Sequence, residues 1–238
     1  MTSPTDRLKE TTVNIAIIGA GNVGGTLARR FAALGHQVRV ANSHGPQSLT
    51  DLQAETGVRP VSLDEIAAGA DALFVAIPLG GIPHLPEGLL ADLPHDSAVV
   101  DTGNYVPHLR DPRIDVLEDG GVESRWTESH LQRPLVKAFN TIIAGHLRTL
   151  GRPAGAPDRI ALPVAGDDPQ TKAVVIDLAD QLGFDGIDAG GLDDSWRQQP
   201  GTPVYTTDLD AEHARKALAR AEPQDTTAWR QRLQVPRA

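Results

Sequence analysis

The stretch Ile15-Ala16-Ile17-Ile18-Gly19-Ala20-Gly21-Asn22-Val23-Gly24 groups residues suited by type and spacing to hold a reactive nucleotide. A short apolar run ends in G-x-G-x-x-G and opens into a helix-periodic segment, the context that a dinucleotide pyrophosphate site requires. Gly19 permits the tight turn, Gly21 lets backbone approach the phosphates, and Gly24 allows close packing of helix on strand. Ala20, Asn22 and Val23 fall between them. The helix start then offers free N–H groups and a partial positive charge to the anion. The plain alternative is a glycine-rich turn without a ligand.

The end of the second strand bears on which dinucleotide is held. An acid about 20 residues beyond the first glycine would hold the ribose 2′-hydroxyl of NAD. Here that position reads Ala41-Asn42-Ser43-His44-Gly45, and no carboxylate follows before Asp51. Without the acid a 2′-phosphate is not repelled, and Ser43 and His44 can donate to it, so NADP(H) is favoured. Otherwise Ser43 and His44 simply form a polar turn. Imidazole gains its charge in the neutral range, so NADPH binding is expected to weaken with rising pH more than NADH binding does.

Four residues follow strands directly: Pro78, Thr102, Asn104 and Asn140. In open α/β sheets ligands sit beyond the carboxyl ends of the strands, which puts these four, with Ile77, around the nicotinamide. Asn140 either bonds the nicotinamide carboxamide or the acceptor, or caps a short helix beginning at Thr141. His146 either serves as an acid for a carbonyl or imine or is a solvated surface residue. His84, His95, His108 and His130 are irregularly spaced, with no pair at i, i+4, so no metal site is expected. Asp167 and Asp168 precede Pro169 and read as helix caps. Trp196 and Tyr205 stand out in a chain only 4% aromatic; they cover an acceptor ring or anchor a subunit contact.

The elements that position these residues alternate. Strands are expected at Val13–Ile18, Gln37–Ala41, Val58–Val61, Ala72–Ile77, Ser97–Val100, Leu135–Asn140, Ile160–Ala165 and Phe184–Asp188. Helices are expected from Val23 to Leu34, Ser48 to Thr56, around Ser124 to Leu131, Pro169 to Leu182, Asp208 to Ala221 and near Trp229. Ser62 and Glu65 have capping-box spacing. Such alternation means a Rossmann-type, doubly wound parallel sheet, extended by a smaller α/β C-terminal part. The expected division is an NADP-binding part over residues 12–134 and a C-terminal half over 135–238, packed on the same sheet as one unit. Residues 1–11 are polar and read as a frayed tail.

Bulk composition excludes several classes. A length of 238 residues fills one α/β core. A net charge of −9 repels nucleic acid and anionic membrane surfaces, so neither is an expected partner. The chain has no cysteine, which removes disulfides, thiolate metal ligands and thiol catalysis. No membrane-spanning stretch or signal segment is visible, and the chain reads as soluble and cytoplasmic.

Several strings together resemble a known family: the opening glycine motif, Ala76-Ile77-Pro78, Val136-Lys137-Ala138-Phe139-Asn140-Thr141-Ile142, Ala165-Gly166-Asp167-Asp168 and Ile187-Asp188-Ala189-Gly190. They are similar to the NADPH-dependent deazaflavin-coenzyme oxidoreductases, and to the cytosolic oxidoreductase domain of six-transmembrane metalloreductases, from about Val13 to Leu192. The resemblance implies hydride exchange between NADP(H) and a flavin or deazaflavin ring stacked on the nicotinamide. By the family's pattern Ser43 meets the 2′-phosphate, and Ile77, Pro78 and Asn140 border the reacting rings. The chain departs from the pattern at His44, where an arginine is common. It departs again at Asn140, where archaeal members have histidine, and over Asp194–Pro200. The resulting expectation is an NADP(H)-dependent oxidoreductase that forms a homodimer and acts on a small-molecule hydride acceptor or donor. Two alternatives stand beside it: an imine or carbonyl reductase with His146 or Tyr205 as proton donor, and an NADPH-binding sensor without turnover.

Overall fold

The computed structural model describes residues 12–233; the tail expected over 1–11 lies outside them. Eight strands form one sheet: β1 (Asn14–Ile18), β2 (Gln37–Ala41), β3 (Arg59–Pro60), β4 (Ala72–Val75), β5 (Ala98–Asp101), β6 (Val136–Lys137), β7 (Ala161–Gly166) and β8 (Asp185–Asp188). Their order is β3-β2-β1-β4-β5-β6-β7-β8. The helices are α1 (Asn22–Ala33), α2 (Thr50–Thr56), α3 (Asp115–Glu118), α4 (Glu123–Leu131), α5 (Ala144–Thr149), α6 (Pro169–Gln181), α7 (Ala211–Arg220) and α8 (Pro223–Leu233).

The near-continuous apolar runs of β1, β4 and β5 follow from burial on both faces, as a helix-covered parallel sheet requires. Alternate residues divide between the faces. Ile15 and Ile17 pack with Leu27 and Phe31 of α1, whereas Ala16 and Ile18 join Ile66 and Leu73 on the other side. Three aromatic rings run across the first face: Phe31 to Phe74 at 5.3 Å and Phe74 to Phe139 at 5.7 Å.

Every neighbouring pair is parallel except β6–β7, which is antiparallel, with Val136 opposite Gly166. Alternating periodicity does not reveal such a reversal, because it reports the elements and not their direction. As a result the carboxyl ends of β7 and β8 lie at the far end of the sheet from the glycine loop. The 3₁₀ segment Leu192–Gln198 returns from there: Leu192 N–H bonds Asp167 Oδ1 at one end, and Gln198 reaches Asn140 at the other.

Local departures from the sequence reading have local causes. Residues Pro46–Leu49 form a 3₁₀ turn before α2, so that helix is shorter than expected. The Ser62–Glu65 box is present, but it closes a 3₁₀ turn. Strand β6 keeps two residues of the expected six because Phe139 adopts φ 62° and turns the chain out of the sheet. A left-handed conformation at a bulky residue is costly and persists only where the surroundings impose it. No described helix is long and apolar enough to cross a membrane.

Candidate functional site

The three motif glycines are needed for three different reasons. Gly19 has φ 101°, donates its N–H to Ala41 O at 2.8 Å, and a Cβ there would stand 2.5 Å from Ala76 O. A Cβ on Gly24 would stand 2.0 Å from Gly19 O, so α1 can sit on β1 only without a side chain. Gly21 is the opposite case: a Cβ would meet nothing within 4 Å. Its side is open space over the loop.

Gly21 is also the N-cap of α1, and no side chain caps the helix. The first turn carries no acidic residue, so its N–H groups and the positive end of the dipole are available to an outside acceptor. This cradle fits a pyrophosphate.

A cavity of about 570 Å³ opens beside the loop and brings together Gly19, Ala20, Gly21, Asn42, Ser43, His44, Ile77 and Pro78. Leu63, Gly81, His84 and Leu85 complete much of its wall. Asn42 is spent on its own turn: Oδ1 accepts from His44 N–H at 2.9 Å, and Nδ2 donates to Ser48 Oγ at 2.9 Å. That turn leaves the Ser43 and His44 side chains exposed at the cavity's edge, with Ser43 Oγ 3.4 Å from His44 Nδ1. Asn22 lines an adjoining polar hollow that shares Ala20 and Gly21 with the cavity and also touches Arg29 and Arg148. Val23 is half-buried and packs on the core behind the loop.

Thr102, Asn104 and Asn140 gather elsewhere, in a clasp across the ends of β5 and β6. Asn140 is 3% exposed. Its Nδ2 donates to Asn104 Oδ1 at 3.0 Å and to Gln198 O at 2.7 Å, and its Oδ1 accepts from Gln198 Nε2 at 2.9 Å. Asn104 Nδ2 donates back to Asn140 O at 2.9 Å, and Thr102 Oγ1 donates to Val75 O at 3.1 Å. Asn140 is not a helix cap, since α5 begins at Ala144 behind Ile143 with no side-chain cap. None of these three lines the cavity beside the glycine loop.

Beneath the clasp lies a buried ionic network that the motif reading overlooked. Lys137, fully buried, donates from Nζ to Asp101 Oδ2 at 3.0 Å and to Gly103 O. Ser124 Oγ donates to the same carboxylate at 2.8 Å, and Gly103 N–H takes its other oxygen at 2.8 Å. Glu123 is buried next to it, bonded by Tyr105 N–H at 3.0 Å and by Arg230 at 3.0 Å. Burial pushes the Glu123 carboxyl up, against the pull of the Lys137 and Arg230 charges. The available signal was charge inside apolar strings: Lys137 within Leu135–Phe139, and Asp101 closing Ala98–Val100.

The remaining expected residues sit away from the cavity. His146 is half-exposed on α5, with Nδ1 against Asp208 Oδ2. Asp168 caps α6 by accepting from Gln170 and Thr171 N–H, both at 3.1 Å, as expected. Asp167 does not cap; it takes Leu192 N–H and pairs with Arg125 at 2.7 Å. Trp196 carries Arg197 over its ring at 4.5 Å and shares a small hollow with Thr226 and Arg230 of α8. Tyr205 meets Trp229 edge-on at 6.2 Å, and burial pushes its phenol above the ordinary value.

With that geometry in view, residues 14–105 match the sequence model of a family described as NADP oxidoreductase, coenzyme F420-dependent. The protein YjhV of Escherichia coli (strain K12) is 44% identical over 59 residues, which is 25% of this chain and 43% of that protein. The chain spans about half the length of the curated relatives it matches. Two solved structures are similar over most of both chains. SMa0349 from Sinorhizobium meliloti, a protein of unassigned function, has a TM-score of 0.70 and 28% identity, covering 85% of this chain and 97% of its own. A proposed F420-dependent NADP-reductase from Arthrobacter sp. FB24 has a TM-score of 0.62 and 26% identity, covering 76% and 86%. These matches bear out the resemblance to the deazaflavin-coenzyme oxidoreductases and the Rossmann-type fold.

Proposed function

We propose that this chain is an NADP(H)-dependent oxidoreductase exchanging hydride between the nicotinamide and a flavin-like or deazaflavin ring. The observation that carries the reading is the open side of Gly21, at an uncapped and acid-free helix start, beside a cavity ending at Ser43 and His44. The nicotinamide, when bound, supplies the hydride. The chain's own part is to bind, orient and exclude water. The N–H groups of α1 take the diphosphate, Ser43 and His44 take the adenosine end, and Ile77 and Pro78 supply apolar wall. The Asn104–Asn140–Gln198 clasp holds the ends of β5 and β6 rigid, so the loops above them keep one geometry. Hydride transfer between stacked rings depends on close, oriented approach more than on an acid or base.

The same reading takes residues 12–134 and 135–238 as halves of one unit, and the protein as a cytoplasmic homodimer. His146 is half-exposed, is set against Asp208 and lines neither hollow described above, so no observation favours it as a proton donor.

The test is to mix the protein with NADPH or NADH and offer flavins, the deazaflavin coenzyme, quinones and ferric chelates while following reduced-nicotinamide absorbance. Oxidation of NADPH with a ring acceptor supports the proposal. Tight NADPH binding without oxidation by any acceptor would leave a sensor. Failure of both nucleotides to bind at millimolar concentration would remove the redox reading entirely.

A further inference from the structure

In sequence His84 stands apart from the other histidines, with no partner at i, i+4. The fold brings it to the cavity. It ends the 3₁₀ segment Leu79–His84 that follows β4, while His44 lies in the turn after β2. β2 and β4 flank β1 in the sheet, so these two loops stand on either side of the Gly19 turn. Among the described residues lining the cavity, His44 and His84 are the only ionisable ones; no aspartate, glutamate, lysine or arginine joins them. In a chain of net charge −9, these two imidazoles are the side chains of this acid-free pocket that can meet an added negative charge.

We propose that His84 and His44 together form a proton-gated subsite for the 2′-phosphate on the adenosine ribose. The inference rests on the NADP(H) reading above and adds what selects NADP over NAD. Ser43 Oγ lies at 3.4 Å from His44 Nδ1, which leaves His44 Nε2 for the ligand. An imidazolium donates a charge-assisted hydrogen bond to phosphate, whereas neutral imidazole offers a weaker one or a lone pair.

Charged groups on the packed elements are otherwise engaged or outside the wall. Beside Leu63 lie Asp64, whose carboxyl is held low by Ser62, and Glu65, bonded to Ser62. The 3₁₀ segment packs on α4. There Glu123 is paired with Arg230, and Arg125 with Glu128, Asp167 and Asp193. Asp111, which takes Gly80 N–H, is paired with Arg110. Glu87, His130 and Arg133 line a separate hollow behind Leu85.

The experiment is calorimetry of the full chain with 2′,5′-ADP and with 5′-AMP at pH 6 and pH 8, reading the ratio of the two affinities. A phosphate monoester gains its second negative charge near pH ~6, so over this window the ligand alone would bind more tightly as pH rises. A fall in the 2′,5′-ADP to 5′-AMP ratio therefore isolates the protein's charge facing the 2′-phosphate. The expected fall is about tenfold or more for wild type, smaller in His84→Gln, and abolished in the His44→Gln/His84→Gln pair. A wild-type ratio and pH dependence in His84→Gln would overturn the assignment. If neither ligand binds wild type at either pH, the cofactor reading falls with it.

Discussion

Replacing each motif glycine by alanine separates binding from folding, because the three added methyl groups meet different surroundings. At Gly21 the methyl enters open space, and φ −72°, ψ −160° is a conformation that alanine adopts freely. Alanine is a poorer N-cap than glycine, but it also stiffens the unfolded chain, so two terms of about 0.5–1 kcal/mol oppose each other. Gly21→Ala is therefore expected to melt within a few degrees of wild type. The same methyl occupies the side from which a diphosphate must approach. Losing one or two hydrogen bonds to a charged group, about 1.5–3 kcal/mol each, weakens NADPH binding on the order of 100-fold. At Gly19 the positive φ costs roughly 1–3 kcal/mol, and the clash with Ala76 O, 2.5 Å from the new carbon, adds overpacking of about 1–3 kcal/mol. Gly24→Ala drives a carbon to 2.0 Å from Gly19 O and must lift α1 from β1. Both variants should lose stability first and affinity as a consequence. Thermal melts with and without NADPH, plus fluorescence titration, read both quantities. A stable Gly21→Ala that binds NADPH like wild type would refute the assignment of this loop to the diphosphate.

Other expectations follow from the buried charges and from one histidine. Arg230→Leu leaves the Glu123 carboxylate buried with one fewer cation, at a cost of about 3–5 kcal/mol by denaturant unfolding at neutral pH; the double variant with Glu123→Gln should recover part of it. Because burial already pushes the Glu123 carboxyl up, it takes a proton more readily once Arg230 is gone, and the Arg230→Leu deficit should shrink as pH falls. Lys137→Met should likewise destabilise, by leaving the buried Asp101 carboxylate without its cation. His36 accepts Val13 N–H on Nδ1 at 3.3 Å and bonds Gln181 through Nε2 at 2.9 Å. Burial lowers its pKa below the unfolded value, so the stability it contributes is present above that unfolded value and is lost as pH falls towards the folded one. A His36→Gln variant should flatten that part of the stability–pH curve, and an unchanged curve would exclude His36 as its source.

The first half of the fold was legible because each signal there is local. The run from Ile15 to Ile18, the glycines and the acid-free Asn42–His44 turn each act within a few residues of their own position, and Ile18, Gly19, Gly21 and Asn42–His44 line one cavity. The clasp was not legible in the same way. Asn140 bonds Asn104, 36 residues away, and Gln198, 58 residues away, and no periodicity encodes such partners. Strand β6 is shorter than expected because Val136–Phe139 is buried whether or not it pairs, and the left-handed turn at Phe139 leaves no mark on composition. His84 was passed over because its relevance comes from the loop after β4 folding back beside the one after β2. That juxtaposition exists only in three dimensions.

The reversed tail of the sheet divides labour within the molecule. One rim gathers the turns after β1, β2, β4, β5 and β6, and the cavity beside the glycine loop opens there. The opposite rim, with the turns after β7 and β8, is tied to the first through the strap ending at Gln198 and through the Asp167–Arg125 pair on α4. A substitution in the far turns would then be felt at the clasp through these two links.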